Sequence, residues 1–186
     1  NQSHALADYD MFGADQPLRE ALVREGAAHY EDECRTFGRL TGSADLLRHG
    51  RLANENKPRL TVFDPYGHRI NAVEFHPSYH HLMATSINNG LHSSPWTETQ
   101  PGRMVSRAIK LYLMNQVEAG HGCPVTMTFA IVPALAHEPA LADVWTPRIT
   151  SNVYDPSNAP AAQKTGCTAG MAMTEKQGGS DVRANQ

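Results

Sequence analysis

Apolar residues recur at helical spacing over most of the chain, and the pattern turns strand-like only once before residue 160. Residues 1–14 are polar with scattered Leu6, Tyr9, Met11 and Phe12, and read as an extended arm that packs through a few large side chains. Asp15 suits the cap of a helix with Pro17 in its first turn, and Leu18, Leu22 and Val23 then fall near one face through about Ala28. A second helix is expected from about Glu31 to Leu40. Gly42 ends it, and Ser43 can cap a third helix carrying Leu46, Leu47 and Leu52. From Arg59 to Phe75, Leu60, Val62 and Phe63 precede Asp64-Pro65-Tyr66-Gly67, and Ile70, Val73 and Phe75 follow; this predicts a hairpin on a Pro-Gly turn. Helical spacing returns over Pro77–Asn88, Arg103–Ala119 and Pro124–Ala136, and a short helix from about Pro139 holds Trp145 near its end.

After Asp155-Pro156-Ser157 the composition moves to Ala, Gly, Thr and Met, and Cys167–Thr174 reads as a strand entering a new β element. The expected class is therefore mainly α. A helical domain with a small hairpin over residues 1–160 is followed by the truncated start of a β domain over 161–186. The chain opens on Asn1 and stops at Ala184-Asn185-Gln186 without a closing element, which suits the N-terminal part of a longer protein.

Charge removes one class of function from the front rank. With 16 Lys and Arg against 19 Asp and Glu, and no block of like charge, the sequence advertises no dedicated nucleic-acid surface. Cys34, Cys123 and Cys167 are far apart and odd in number, so they suggest neither a disulfide framework nor a paired metal motif, and a reducing cytoplasm is the simpler expectation. No apolar run approaches the ~20 residues a membrane helix needs.

The most informative stretch runs from Gly170 to Asp181. A strand-like segment ends in Thr174, and a polar turn leads to Gly178, Gly179 and Ser180. Adjacent glycines let the backbone adopt positive φ and approach a ligand closely, while exposed N–H groups and the two hydroxyls supply donors for an anionic or carbonyl-rich partner. Taken alone, Gly-Gly-Ser is more often an ordinary turn. The longer run Met-Thr-Glu-Lys-Gln-Gly-Gly-Ser-Asp at 173–181, however, resembles the Thr-Glu-x-x-x-Gly-Ser-Asp signature that opens the middle β domain of acyl-CoA dehydrogenases. Its Lys-Gln-Gly-Gly form is similar to the AidB-type, alkylation-response branch. Gly-Arg-Leu-Ala-Asn-Glu-Asn at 50–56, Phe-His-Pro-Ser-Tyr-His at 75–80, Gln-Val-Glu-Ala-Gly at 116–120 and Cys-Pro-Val-Thr-Met-Thr-Phe-Ala at 123–130 extend the likeness over nearly the whole chain.

The resemblance implies an FAD-dependent parent enzyme that dehydrogenates acyl-CoA thioesters at their α,β bond, assembled as a homotetramer. It implies that Met171, Ala172, Met173, Thr174, Gly178, Gly179 and Ser180 line the flavin, with Thr174 and Ser180 as hydroxyl ligands, and that Thr126, Met127 and Phe129 border the acyl pocket. The family's catalytic glutamate lies in a C-terminal helical domain, so no residue of this chain is assigned as the base, and Glu175 is expected to be a solvent-facing charge. The alternative implied function is a DNA-associated protective protein with vestigial dehydrogenase activity, its DNA contacts also lying in the C-terminal domain.

Other features invite competing readings. His76, His80 and His81 could share a helical face and bind zinc, but no H-E-x-x-H pattern or neighbouring Cys or carboxylate completes a set, and no metal is expected. Helix-start and surface histidines are the simpler reading. Cys123 before Pro124 is expected to be a buried thiol rather than a nucleophile, and the stripe from Met104 to Met114 to be core packing.

Overall fold

A computed structural model describes residues 1–185. The helices are α1 (Met11–Ala14), α2 (Gln16–Arg24), α3 (Glu31–Thr41), α4 (Ala44–Glu55), α5 (Pro77–Asn88), α6 (Ser94–Thr97), α7 (Arg103–Val117), α8 (Gly122–Leu135) and α9 (Pro139–Ile149). Strands β1 (Arg59–Phe63) and β2 (Arg69–Glu74) form an antiparallel hairpin between α4 and α5.

The caps act where the sequence places them. Asp15 accepts a hydrogen bond from Leu18 N and Ser43 one from Leu46 N, so each satisfies a donor that the first helical turn leaves free. In the turn of the hairpin, Asp64 accepts from both Tyr66 N and His68 N.

The arm is more ordered than its polarity suggests. Asp10 caps α1 by accepting from Gly13 N at 2.8 Å, and Met11 and Phe12 are buried in the core with Leu22, Cys34 and Phe37. Close approach explains why: a Cβ at Gly42 would lie 1.9 Å from Tyr9 O, so only glycine lets the arm lie this near the end of α3. Asp8 N then donates to Gly42 O, and Ala44 N to Asp8 Oδ1.

The core sits between α3, α4, α5, α7 and α8, with Leu46, Leu82, Leu91, Leu113, Met114 and Val125 fully shielded from water. The stripe on α7 is only partly apolar packing. Met104 and Tyr112 face solvent, whereas Arg107 and Lys110 are buried, because each cation finds oxygen partners inside. Lys110 Nζ meets Glu33 Oε1 at 2.5 Å and Asn89 O at 3.0 Å, and Arg107 Nε donates to Leu91 O at 2.7 Å. Cys123 is exposed, contrary to expectation: near the start of α8 it faces outward, while Val125 and Thr128 take the inward face.

No ladder forms over Cys167–Thr174, where a strand is expected. A strand needs a neighbour to accept its hydrogen bonds, and among the described residues the hairpin is the whole of the sheet. This segment pairs instead with helices, Cys167 N donating to Arg148 O and Ala169 N to Thr128 Oγ1. Residues 161–185 contain only two 3₁₀ turns, Ala161–Gln163 and Val182–Ala184, and Gln186, the last residue of the expected second unit, lies outside the described residues. No helix among the described residues is long and apolar enough to cross a membrane.

Two buried histidines tie the helices together. His121 Nδ1 donates to Glu118 Oε2 at 2.8 Å, which leaves Nε2 to accept the hydroxyl of Ser86 at 2.9 Å. Burial pushes the His121 pKa down, and the Glu118 carboxylate only partly offsets it. Burial also opposes ionisation of Glu118, but hydrogen bonds from the backbone and ring of His121 and from Gly120 N outweigh it and hold the carboxyl below its ordinary value.

His92 Nε2 donates to Ser151 O at 3.0 Å, and burial lowers its pKa to about 4, with the Arg107 charge adding to the effect. Above pH 6.5 His92 is neutral whether folded or not. As pH falls the unfolded chain takes up the proton first, so stability is lost between pH 6.5 and about 4, by about 3 kcal/mol from this residue. Urea denaturation across that window should therefore show a steep acid-side loss that is visibly flatter in His92→Gln; an unchanged slope would remove His92 from the account.

Candidate functional site

The loop 171–180 follows directly from the anchored segment. Thr128, fully buried on α8, donates its hydroxyl to Pro124 O at 2.7 Å and accepts Ala169 N at 3.0 Å. One side chain thus fixes where the chain leaves the helical body, two residues before Met171. Upstream, Asp155 accepts from Ser157 N and Thr165 N, and Lys164 Nζ donates to Ser157 O, which closes the connector on itself.

The loop itself is open. Met171 and Met173 are 61% and 52% exposed, and Thr174 and Ser180 lie on the surface with hydroxyls that make no hydrogen bond among the described residues. The backbone N–H groups of Met171, Ala172, Met173 and Thr174 likewise have no protein partner there. A tight turn shapes the far end, with Gly179 N donating to Glu175 O and Asp181 N to Gly178 O.

The two glycines differ in their reasons. Gly178 is buried, and a Cβ on it would meet Asn185 Oδ1 at 1.9 Å. Gly179 has φ +52° with open space where a Cβ would point, so its backbone can be approached from outside. Glu175 is exposed, and its carboxylate accepts from the side-chain amide of Gln177. Free amides, two free hydroxyls and two exposed methionines form a donor set with apolar flanks, suited to a flat aromatic ring edged with carbonyl groups.

The three α8 residues expected at an acyl pocket are not equivalent. Thr126 and Met127 are half-buried. Phe129 is held in a stack: Trp96 lies against it at 4.8 Å between centroids and donates its indole N–H to Phe129 O, and the Arg107 guanidinium sits 3.6 Å from the ring centre. Arg107 Nη2 is buried without a partner. Sequence reasoning missed Arg107 and Trp96; a cation inside an apolar helical stripe is the signal that marks the first. A cavity of 460 Å³ lies elsewhere, between β2, α5 and the connector, lined by Tyr79, His80, Met83, Tyr154, Cys167 and Thr168 among others, and none of the three α8 residues borders it.

The histidine trio separates. His76 caps α5 by accepting from Ser78 N, and His81 is exposed. His80 is half-buried with Nδ1 2.8 Å from Tyr154 OH, a surface position for it being overridden by the returning connector.

Comparison with known proteins shows the family and the fold. Residues 1–156 match the family model of the adaptive response protein AidB N-terminal domain. The chain belongs to that family. It is 43% identical to the AidB protein of Escherichia coli (strain K12), an acyl-CoA dehydrogenase by name, over 100% of this chain and 35% of that protein. It is 29% identical to acyl-CoA dehydrogenase family member 11 of Caenorhabditis elegans over 90% of the chain and 27% of the relative. The chain therefore spans about a quarter to a third of the length of the curated relatives it matches.

Two solved structures share the fold at 23% identity each. One is the Bd2924 apo form, with a TM-score of 0.80 over 98% of this chain and 36% of that one. The other is Caenorhabditis elegans ACDH-11 in complex with C11-CoA, with a TM-score of 0.81 over 98% of this chain and 31% of that one. Both curated relatives are acyl-CoA dehydrogenases by name, and the family to which the chain belongs is acyl-CoA dehydrogenase-like.

If Thr128 is the anchor, Thr128→Val, which keeps the shape and removes the acceptor, leaves Ala169 N–H unpaired at a cost of about 1–3 kcal/mol. Amide hydrogen exchange over residues 167–171 should speed up markedly while the core helices keep their protection; equal protection in the variant would show that the anchor lies elsewhere.

Proposed function

We propose that this chain is the N-terminal part of an FAD-dependent, acyl-CoA dehydrogenase-like oxidoreductase of the AidB type, acting on acyl-CoA thioesters. The observation that carries the proposal is the open loop 171–180, whose unpartnered hydroxyls and amides and positive-φ Gly179 fit the carbonyl-rich edge of an isoalloxazine ring. Met171, Ala172, Met173, Thr174, Gly178, Gly179 and Ser180 would hold the flavin. When bound, the flavin supplies the acceptor for the hydride removed from the acyl β-carbon.

The chain's own residues bind and orient. Thr174 and Ser180 donate hydrogen bonds, the backbone at Gly179 permits close approach, and the methionines cover the ring's apolar surface. Preorganised donors of this kind favour a reduced, more electron-rich ring. Thr126 and Met127 would line the approach of the acyl chain, with Phe129 fixed behind them by Trp96 and Arg107. The base is assigned to a C-terminal domain of the parent protein. The homotetramer, the cytoplasmic location and any DNA contact are likewise proposals about the whole protein.

The parent protein, purified intact, should carry bound FAD and bleach its visible absorption bands on addition of an acyl-CoA. Thr174→Val and Ser180→Ala, both at exposed positions that leave the core untouched, should each weaken FAD retention by about 10-fold, the value of one lost neutral donor of ~1–1.5 kcal/mol. Full retention of flavin by the double variant would overturn the assignment.

A further inference from the structure

Away from the flavin-type loop, the packing of α4 on α5 assembles a second set of donor groups. Asp45 and His49 stand one turn apart on α4, and His81 reaches them from α5; one donor atom from each lies within 4.8 Å of the other two. We propose that Asp45, His49 and His81 form a three-ligand site for a divalent transition-metal ion, zinc foremost, with its remaining position open to water.

The ligand chemistry is right for it. Two imidazoles and one carboxylate are a zinc donor set, and both Asp45 and His81 are exposed, so the ion has a path in from solvent. Neighbours orient the ligands. His49 Nδ1 is 3.0 Å from Ser78 Oγ, which commits that nitrogen and turns Nε2 toward Asp45 Oδ2, 3.8 Å away. Such an outer hydrogen bond is what fixes a ligating imidazole in one orientation. Arg48 holds Asp45 through Oδ1 at 2.7 Å and leaves Oδ2 available.

The rings of His49 and His81 are stacked, 4.1 Å between centroids and 18° from parallel, so their in-plane lone pairs run nearly parallel and His81 has to turn out of the stack for both to face one ion. A tetrahedral zinc with bonds of about 2.1 Å spaces its donors roughly 3.4 Å apart, so the three atoms must draw in by about 1.4 Å at most. Asp45 and His81 are exposed, which leaves both side chains room to turn toward the ion. The sequence alone points to a different trio, because His76 and His80 are neighbours of His81 along the chain. In the fold His76 is spent as a helix cap and His80 on Tyr154, and the carboxylate comes from a helix more than thirty residues upstream.

Zinc chloride titrated into the intact, metal-free parent protein should bind at one site per chain, measured by calorimetry, and raise the melting temperature. Cobalt(II) at the same site should show the intense visible bands of a low-coordinate complex. His81→Ala and Asp45→Asn, both at exposed positions, should keep the far-ultraviolet circular dichroism of the native protein and weaken zinc binding at least 10-fold. Ser78→Ala should weaken it by about 10-fold through the loss of ring orientation. Absence of zinc binding by the native protein overturns the proposal, and so does undiminished binding by His81→Ala and Asp45→Asn, which would place the ion on other surface histidines.

Discussion

The hydroxyl of Thr128 is the point on which the proposed site depends. It is buried in α8, its own proton is committed to Pro124 O, and its lone pair receives Ala169 N, so it couples a helix of the core to the segment that becomes the candidate flavin loop. A buried hydroxyl with both functions satisfied has one allowed orientation, and the chain leaving it has one direction. Around it the connector is held by further single bonds: Ser151 O on His92, Tyr154 OH on His80, and Cys167 N on Arg148 O. None of these is strong alone. Together they deliver an otherwise irregular stretch to a fixed place on the helical body.

The interior that supports this is unusually polar. Lys110, Arg107, Glu118, His121 and His92 are all shielded from water, and each is compensated by a named partner rather than by solvent. Such groups add little net stability when paired and cost much when left alone, so they specify the packing of α5, α7 and α8 more than they strengthen it. His92 Nδ1 and Arg107 Nη2 are each left buried without a partner, and of the two Arg107 lies nearer the proposed acyl approach. Its guanidinium sits over the Phe129 ring, and Trp96 stacks on the same ring, which belongs to the helix whose Thr126 and Met127 are proposed to meet the acyl chain.

Much of the fold is legible in the sequence, because caps and periodicity carry it: Asp15 and Ser43 start their helices as expected, and the hairpin turns at Asp64-Pro65-Tyr66-Gly67. What escapes is set by tertiary contact. The placement of residues 8–14 rests on Gly42 lying against Tyr9 O, a proximity that no local pattern encodes. Cys123 reads as buried from its apolar neighbours, yet the rotation of α8 turns it outward. A strand over Cys167–Thr174 has the right composition, but a strand exists only with a partner beside it. The Thr, Gly-Gly and Ser of loop 171–180 stand out in the sequence, and their role is part of the proposal, whereas the family of the chain follows from the match over residues 1–156. The Trp96, Phe129 and Arg107 stack joins three separate helices and is invisible in any single segment.

In the proposed function, the loop 171–180 is built on the helical body to receive flavin. Hydrogen–deuterium exchange of the intact parent protein, with its flavin removed and then restored, tests that claim residue by residue. Fast exchange is expected at Met171–Thr174 without FAD and strong protection of the same amides with it, against little change in α3 and α7. Protection that appears elsewhere while these amides keep exchanging would contradict it.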